Sequence, residues 1–184
     1  MFKFNSSKNI VLLLAAIFIF IGAAFRLLGH PPNFTPITAI ALFGGVYLGR
    51  KLSLFLPILA MFLSDIFIGF YRPSLMIVVY GSFILTVILG WWLKNNKKWY
   101  NIIAVSLLAS LLFYLLTNFA VWIFTPWYAK TLAGLVYCYY LALPFFRNTL
   151  MGNVFYVAVF FGSYQLVKIL LVRFSKQRYN SLTI

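Results

Sequence analysis

The sequence predicts an all-α membrane protein with six transmembrane helices and an additional interfacial or re-entrant helix between spans five and six. Hydrophobic residues make up 64% of the 184 residues and charged residues 9%, which is too few to cover the surface of a soluble domain. The 15 lysines and arginines stand mostly between long apolar runs, against a single acidic residue. This is the topology signal of membrane proteins, so the net charge of +14 does not indicate nucleic-acid binding.

The six predicted spans form one transmembrane domain that covers residues 1–184. Each is an apolar run that ends at a charge, a proline or a polar break, and most are long enough to cross a bilayer core of about 30 Å. The predicted spans are 10–28, 36–49, 52–70, 74–93, 102–124 and 150–172. Two alternatives stay open: the first run also fits a cleaved signal peptide, and a seventh span competes with the interfacial helix.

The second run and the loop before it form the stretch around which we expect the chain to be organised. Thr35 is a good N-cap and Pro36 is preorganised for the first helical position. Ala41, Gly45 and Gly49 recur at every fourth position, so this helix has a nearly bare face for close packing or for a partner. We expect a bulky residue to be worse at Gly45 than at Gly90, which lies near a helix end.

The interfacial or re-entrant helix is predicted at 131–146. This stretch is apolar, but it is crowded with tyrosines, it is stopped by Pro144, and Arg147 follows. Aromatic residues with a polar tip are typical of the membrane–water interface. The last full span would therefore start only after this break, at residue 150.

The basic residues predict that both termini lie in the cytoplasm of a bacterial inner membrane. Six spans with a cytoplasmic N-terminus place eleven of the 15 lysines and arginines inside and four outside. The outside residues are Arg26, Arg72, Lys130 and Arg147. Seven spans would put the basic tail outside, against the positive-inside rule.

Polar side chains in the predicted spans gather in the outer third of the membrane, which suggests a cavity filled by water or ligand. The predicted substrate-binding residues are Asn33, Phe34, Thr38, Asp65, Tyr80, Asn118, Trp122, Tyr137, Asn148 and Asn153. Each also admits a structural role, because Asn and Tyr near helix ends commonly cap helices or meet headgroups. Asp65, the one acid, can instead form an ion pair with Arg26 at a similar depth, and His30 is expected to be a solvated loop residue.

Catalysis, metals and cofactors are not predicted. One aspartate, one histidine and one cysteine cannot build an aspartyl protease pair or a multi-ligand metal site. Cys138 is expected to be a packed, weakly polar residue. No phosphate-binding loop is present, so any use of ATP would need partner subunits.

Several motifs resemble a family of small bacterial membrane proteins described only as transport proteins of unknown function. These motifs are RLLGHPPNFTP from Arg26, ALFGG from Ala41, LSDI from Leu63, TNFAVW from Thr117, GL from Gly134 and PFFRN from Pro144. That family in turn resembles the S components of energy-coupling factor (ECF) transporters. The resemblance implies a six-helix micronutrient binder whose ligand lies near the outer face, under the loop between the first two helices.

The resemblance also implies a transmembrane coupling subunit with ATPases as a partner, besides the lipid bilayer and a small-molecule substrate. Many S components dock that subunit through an Ala-x-x-x-Ala motif on the first helix, and the alanines here lack that spacing. Aromatic and amide side chains favour a planar, largely neutral heterocycle or vitamin as the substrate. The alternative hypothesis is a non-transport scaffold or assembly protein that docks a partner through the small-residue face.

Overall fold

The computed structural model describes residues 6–29 and 31–181 of the chain, and His30 lies outside these ranges. In this part the chain is all α-helical and has no strand. The helices are α1 Ser6–Leu27, α2 Ile37–Tyr47, α3 Arg50–Ile68, α4 Pro73–Leu93, α5 Trp99–Phe124 and α6 Leu132–Ser181. Among the described residues, α3 to α6 are long and apolar enough to cross a membrane, whereas α2 is a shorter apolar helix. The predicted all-α class is confirmed, and these helices are those of a membrane protein.

Helix α2 is the centre of the fold. Ten of its eleven residues are buried, and it contacts each of the other five helices. A helix that is hydrophobic on every side has to be enclosed in this way. At its end, the rings of Phe43 and Tyr47 pack against Phe161 and Tyr164 of α6. The stretch singled out from the sequence therefore lies at the core of the protein.

The small-residue face of α2 packs against α4 inside the chain. A Cβ atom added at Gly45 would meet the carbonyl oxygen of Val87 and would lie 2.8 Å from the Cα atom of Gly90. A Cβ atom at Gly90 would lie 2.7 Å from the carbonyl oxygen of Leu42. The expectation that Gly90 is less constrained than Gly45 is wrong, because the two glycines touch each other. Gly49 has nothing within 4 Å of its Cβ position, so the close contact stops before it.

The separate interfacial helix predicted at 131–146 is wrong. These residues and the predicted last span at 150–172 form one helix, α6, of 50 residues or about 75 Å. Helix α5 runs antiparallel to α6 and contacts it on both sides of Pro144. Tyr114 Oη donates a hydrogen bond to the carbonyl oxygen of Tyr139, 2.7 Å away, in the turn that precedes the proline. This bond joins the two helices beside the proline, although the carbonyl oxygen that Pro144 leaves without an amide donor is that of Tyr140.

The buried and exposed residues are distributed as in a helix bundle surrounded by lipid. Small hydroxyl residues are buried between helices, and Ser64 and Ser110 donate hydrogen bonds to carbonyl oxygens one turn earlier. Large apolar side chains are exposed, among them Phe20, Phe67 and Ile77, each more than 70% accessible. Small polar residues inside and large apolar residues outside favour helix packing within a bilayer.

Candidate functional site

A tight turn before α2 presents Asn33. The amide of Phe34 donates to the carbonyl oxygen of Pro31 at 3.0 Å, and Asn33 has a φ of +64°. With Pro32 at the second position and a left-handed residue at the third, these features describe a type II turn. The predicted N-cap Thr35 is wrong, because the capping position is occupied by Pro36 and no side chain caps the helix. Because the two prolines and the left-handed residue form this turn, the helix begins only after Thr35.

The turn is fastened to α6. Asn148 Nδ2 donates to the carbonyl oxygen of Pro32 at 3.0 Å. The Cα atom of Phe34 lies so close to Gly152 that a Cβ atom there would be 3.3 Å from it. The Phe34 ring also contacts Tyr156, with 5.5 Å between ring centroids. The first loop is therefore held within the bundle, and the position of Asn33 is fixed.

A cavity of about 220 Å³ lies beside this turn, between α4, α5 and α6. On α5 its lining extends over nine residues, from Phe113 to Val121, which lie about 12 Å apart along the helix, and it ends less than one turn before the end of α5. The lining residues are Asn33, Val79, Phe113, Tyr114, Thr117, Asn118, Val121, Phe145, Phe146 and Thr149.

The lining combines aromatic rings with neutral polar groups. The rings of Tyr114 and Phe146 are stacked at 4.5 Å and 27°. Thr117 and Thr149 donate their hydroxyl protons to carbonyl oxygens of their own helices, at 2.7 and 2.9 Å. Asn118 Nδ2 likewise donates to the Tyr114 carbonyl oxygen at 2.8 Å. The hydroxyl oxygens and the amide oxygen keep lone pairs that can accept hydrogen bonds from a ligand.

Asp65 belongs to a polar network whose members do not line this cavity. Arg26 Nη2 lies 2.8 Å from Asp65 Oδ1, an ion-pair contact without hydrogen-bond alignment. Tyr80 Oη donates to Asp65 Oδ2 at 2.7 Å, and Arg26 Nη1 also donates to Ser64 Oγ. The predicted Arg26–Asp65 ion pair is confirmed, and with Tyr80 it joins α1, α3 and α4. Tyr71 lies in the loop between α3 and α4. Burial, and to a smaller extent the charge of Asp65, raises the pKa of Tyr71 to about 12, so its phenol stays neutral.

The remaining predicted site residues lie in three other places. Thr38 is buried in the core helix α2. Asn153 Nδ2 donates to Ser110 Oγ and joins α6 to α5. Trp122 and Tyr137 are at the α5–α6 connection, where Trp122 Nε1 donates to the Ala129 carbonyl oxygen at 2.9 Å. Phe34 and Asn148 support the turn. Of the ten predicted site residues, two line the cavity, Asn33 and Asn118.

Sequence reasoning missed most of the cavity wall. The missed residues that could contact a ligand through a ring or a hydroxyl are Phe113, Tyr114, Thr117, Phe146 and Thr149, whereas Phe145 was expected among the aromatic residues around the ligand. A usable signal was the spacing of Tyr114 and Asn118, and of Phe113 and Thr117, which are one helical turn apart and share a face. Cys138, expected to be packed, is buried with Sγ 3.5 Å from the carbonyl oxygen of Asn118, just behind this wall.

The comparisons with known proteins identify a family and no activity. The model of a family of unknown function, DUF6580, matches residues 5–176, and the chain therefore belongs to that family. No curated protein and no solved structure matches the chain.

Proposed function

We propose that this member of the family of unknown function is the substrate-binding component of a membrane transport system and takes up a small micronutrient. The cavity beside Asn33 would bind a planar, largely neutral heterocycle, in the manner of an ECF S component. The observation that carries this proposal is the cavity itself, which has aromatic rings, neutral hydrogen-bonding groups and no charged side chain in its lining. Such a lining is what small-molecule sites provide.

The cavity volume limits the size of the ligand. An apolar cavity of roughly 150 Å³ is enough to bind benzene, and drug-sized ligands occupy roughly 300 Å³ or more. A volume of about 220 Å³ falls between these limits. We therefore expect one ring with substituents or a fused pair of rings.

The polar groups limit the chemistry of the ligand. The hydroxyl protons of Thr117 and Thr149 are used within their own helices, so the oxygens are available mainly as acceptors. A ligand with N–H or O–H donors on its rim matches them, and its flat faces match Tyr114 and Phe146. A strongly charged ligand would find no counter-charge in this lining.

The charges along α6 support one membrane pass between Arg147 and Lys168, and the proposed orientation, with both termini in the cytoplasm, rests on the excess of lysines and arginines on that side. Twenty residues separate Arg147 from Lys168, which corresponds to about 30 Å of helix and to the thickness of a bilayer core. Six passes place the Asn33 turn and the cavity near the outer side of a bacterial inner membrane. The ligand would then lie under the loop between the first two helices.

Energy for uptake would have to come from partners, a coupling subunit and its ATPases, because this chain has no phosphate-binding loop. Their docking surface would not be the small-residue face, since Ala41 and Gly45 are buried in the core. The same burial argues against the alternative, a scaffold that docks a partner through this face, although Gly49 of that face is exposed.

The test is a thermal-shift screen of the purified protein with neutral heterocyclic vitamins and nucleobases. We expect at least one compound to raise the unfolding temperature of the parent. Asn118→Leu and Thr117→Val should weaken its binding roughly five- to a hundred-fold, the effect of losing one enclosed hydrogen bond. The matched control is Thr86→Val, because Thr86 makes the same bond to its own helix away from the cavity. Absence of any stabilising compound, or equal binding by all four proteins, would reject the proposal.

A further inference from the structure

A second cavity of about 220 Å³ lies between α5 and α6 at the opposite end of the bundle from the Asn33 turn. All of its lining residues are apolar, with Trp99, Ile102 and Ile103 on α5 and Val154, Val157, Ala158, Phe161 and Gly162 on α6. Val157 and Phe161 are buried and form its floor, whereas Trp99 and Ile103 are exposed at its rim. We call this cavity the α5–α6 groove.

The shape of the groove fits a hydrocarbon chain. It follows α6 from Val154 to Gly162, which is about 12 Å of helix. It is open at one end because Gly162 has no side chain, and a Cβ atom added there would have nothing within 4 Å. A long slot lined by apolar residues offers no hydrogen-bonding partners to a heterocycle. The slot is also open to the surroundings of the bundle.

Two exposed lysines, Lys97 and Lys98, immediately precede the groove residue Trp99 in the chain. Lys98 Nζ lies 5.7 Å from the ring centroid of Tyr100, the residue after Trp99. Lys97 Nζ lies 5.1 Å from the ring centroid of Tyr47, and that ring contacts Phe161 of the groove floor at 5.6 Å. Positive charge next to an apolar slot between transmembrane helices is the arrangement that binds anionic lipid headgroups.

We propose that the α5–α6 groove binds one acyl chain of an anionic phospholipid and that Lys97 and Lys98 hold its phosphate. An acyl chain gains little hydrophobic free energy when it moves from the bilayer into an apolar groove, because both surroundings are equally apolar. Selectivity therefore has to come from the two ammonium groups. This makes the site specific for the charge of the headgroup, independently of any substrate in the other cavity.

The experiment uses native mass spectrometry of the purified full chain, incubated with an equal mixture of phosphatidylglycerol and phosphatidylcholine. The parent should retain phosphatidylglycerol in preference to phosphatidylcholine. Gly162→Leu fills the groove and should lose this lipid. The matched control is Gly81→Leu in α4, which also adds a side chain where a Cβ atom has nothing within 4 Å, and it should bind as the parent does. If Gly162→Leu does not fold, Ala158→Leu serves in its place, because Ala158 is an exposed lining residue and its leucine would fill the same groove.

The double variant Lys97→Gln/Lys98→Gln separates the headgroup from the chain. It should still retain a lipid, but its preference for phosphatidylglycerol should fall roughly 25-fold, about five-fold for each lysine. An unchanged preference in this variant would overturn the proposal, as would parent-like lipid binding by the groove-filling variants. A change of oligomeric state in those variants, without bound lipid in the parent, would assign the groove to a second copy of the chain and would also overturn it.

Discussion

Replacing Gly45 by alanine tests the packing on which the core depends. The new methyl group would meet the backbone of α4, with the Cα atom of Gly90 2.8 Å away. Ordinary contact begins at 3.4 Å, so α2 and α4 would have to separate by more than 0.6 Å, because the carbonyl oxygen of Val87 is nearer still than the Gly90 Cα atom. The obstacle is backbone on both sides, and no side-chain rotation can relieve it.

The expected destabilisation follows from that separation. A gap of roughly 0.5–1 Å removes a quarter to a half of the dispersion energy across an interface, and overpacking typically costs about 1–3 kcal/mol. Alanine regains up to about 1 kcal/mol through its higher helix propensity. We therefore expect Gly45→Ala to lower the free energy of unfolding by about 1–2 kcal/mol, and Gly90→Ala to do the same.

The assay is thermal unfolding of the purified protein in detergent, followed by the fraction that stays monodisperse. The control is Gly81→Ala, where the methyl group has nothing within 4 Å and the helix propensity alone should raise stability. The double variant of Gly45 and Gly90 should lose less than the sum of the single losses, because one separation accommodates both methyl groups. Equal unfolding temperatures for Gly45→Ala and Gly81→Ala would refute the reasoning.

Three further predictions concern the turn, the ion pair and the topology. Asn33→Gly should keep the stability of the parent in thermal unfolding. Asn33→Val should lower the free energy of unfolding by about 1–2 kcal/mol, because a branched residue is strained at positive φ. Equal stability of the two variants would contradict the assigned turn. Asp65→Leu alone leaves a partly buried arginine without its partner and should lower the free energy of unfolding by about 3–5 kcal/mol. Adding Arg26→Met should restore most of the folded yield. An additive loss in the double variant would show that the two charges are not coupled. Cysteines placed at Lys97 and Trp127, in a background without the native cysteine, should lie on opposite sides of the membrane, so an impermeant thiol reagent added outside should label the cysteine at 127 and not the one at 97. Labelling of both from outside would exclude six passes.

The sequence predicted the helices well, because long apolar runs between charges determine where transmembrane helices lie. It failed where a distant contact overrides a local signal. Pro144 and the tyrosines before it indicate a break, yet Tyr114 of α5 hydrogen-bonds to the backbone of Tyr139 and the helix continues. Nothing local to the last run reveals that its N-terminal half has a partner helix.

The candidate site could be predicted only in part, for a reason that lies in the composition. Asn33 and Asn118 are conspicuous because amides are rare in apolar runs, and both line the cavity. Aromatic residues are 21% of the chain, so nothing in the sequence distinguishes Tyr114 and Phe146 from the rings that face outward. Asp65 was also conspicuous, but its partner Arg26 accounts for it.

The cavity exists because α2 is short. Its first residue, Ile37, lies at the level of Gly22 in α1, where a Cβ atom would be 3.4 Å from the Ile37 side chain. Helix α1 continues to Leu27, about 7 Å further, and α5 and α6 also continue past this level. Among the described residues, the Asn33 turn lies just before the start of α2, and the cavity lies beside this turn. A full-length second helix would take the place of this turn, so the stretch that forms the core also creates the room for a ligand.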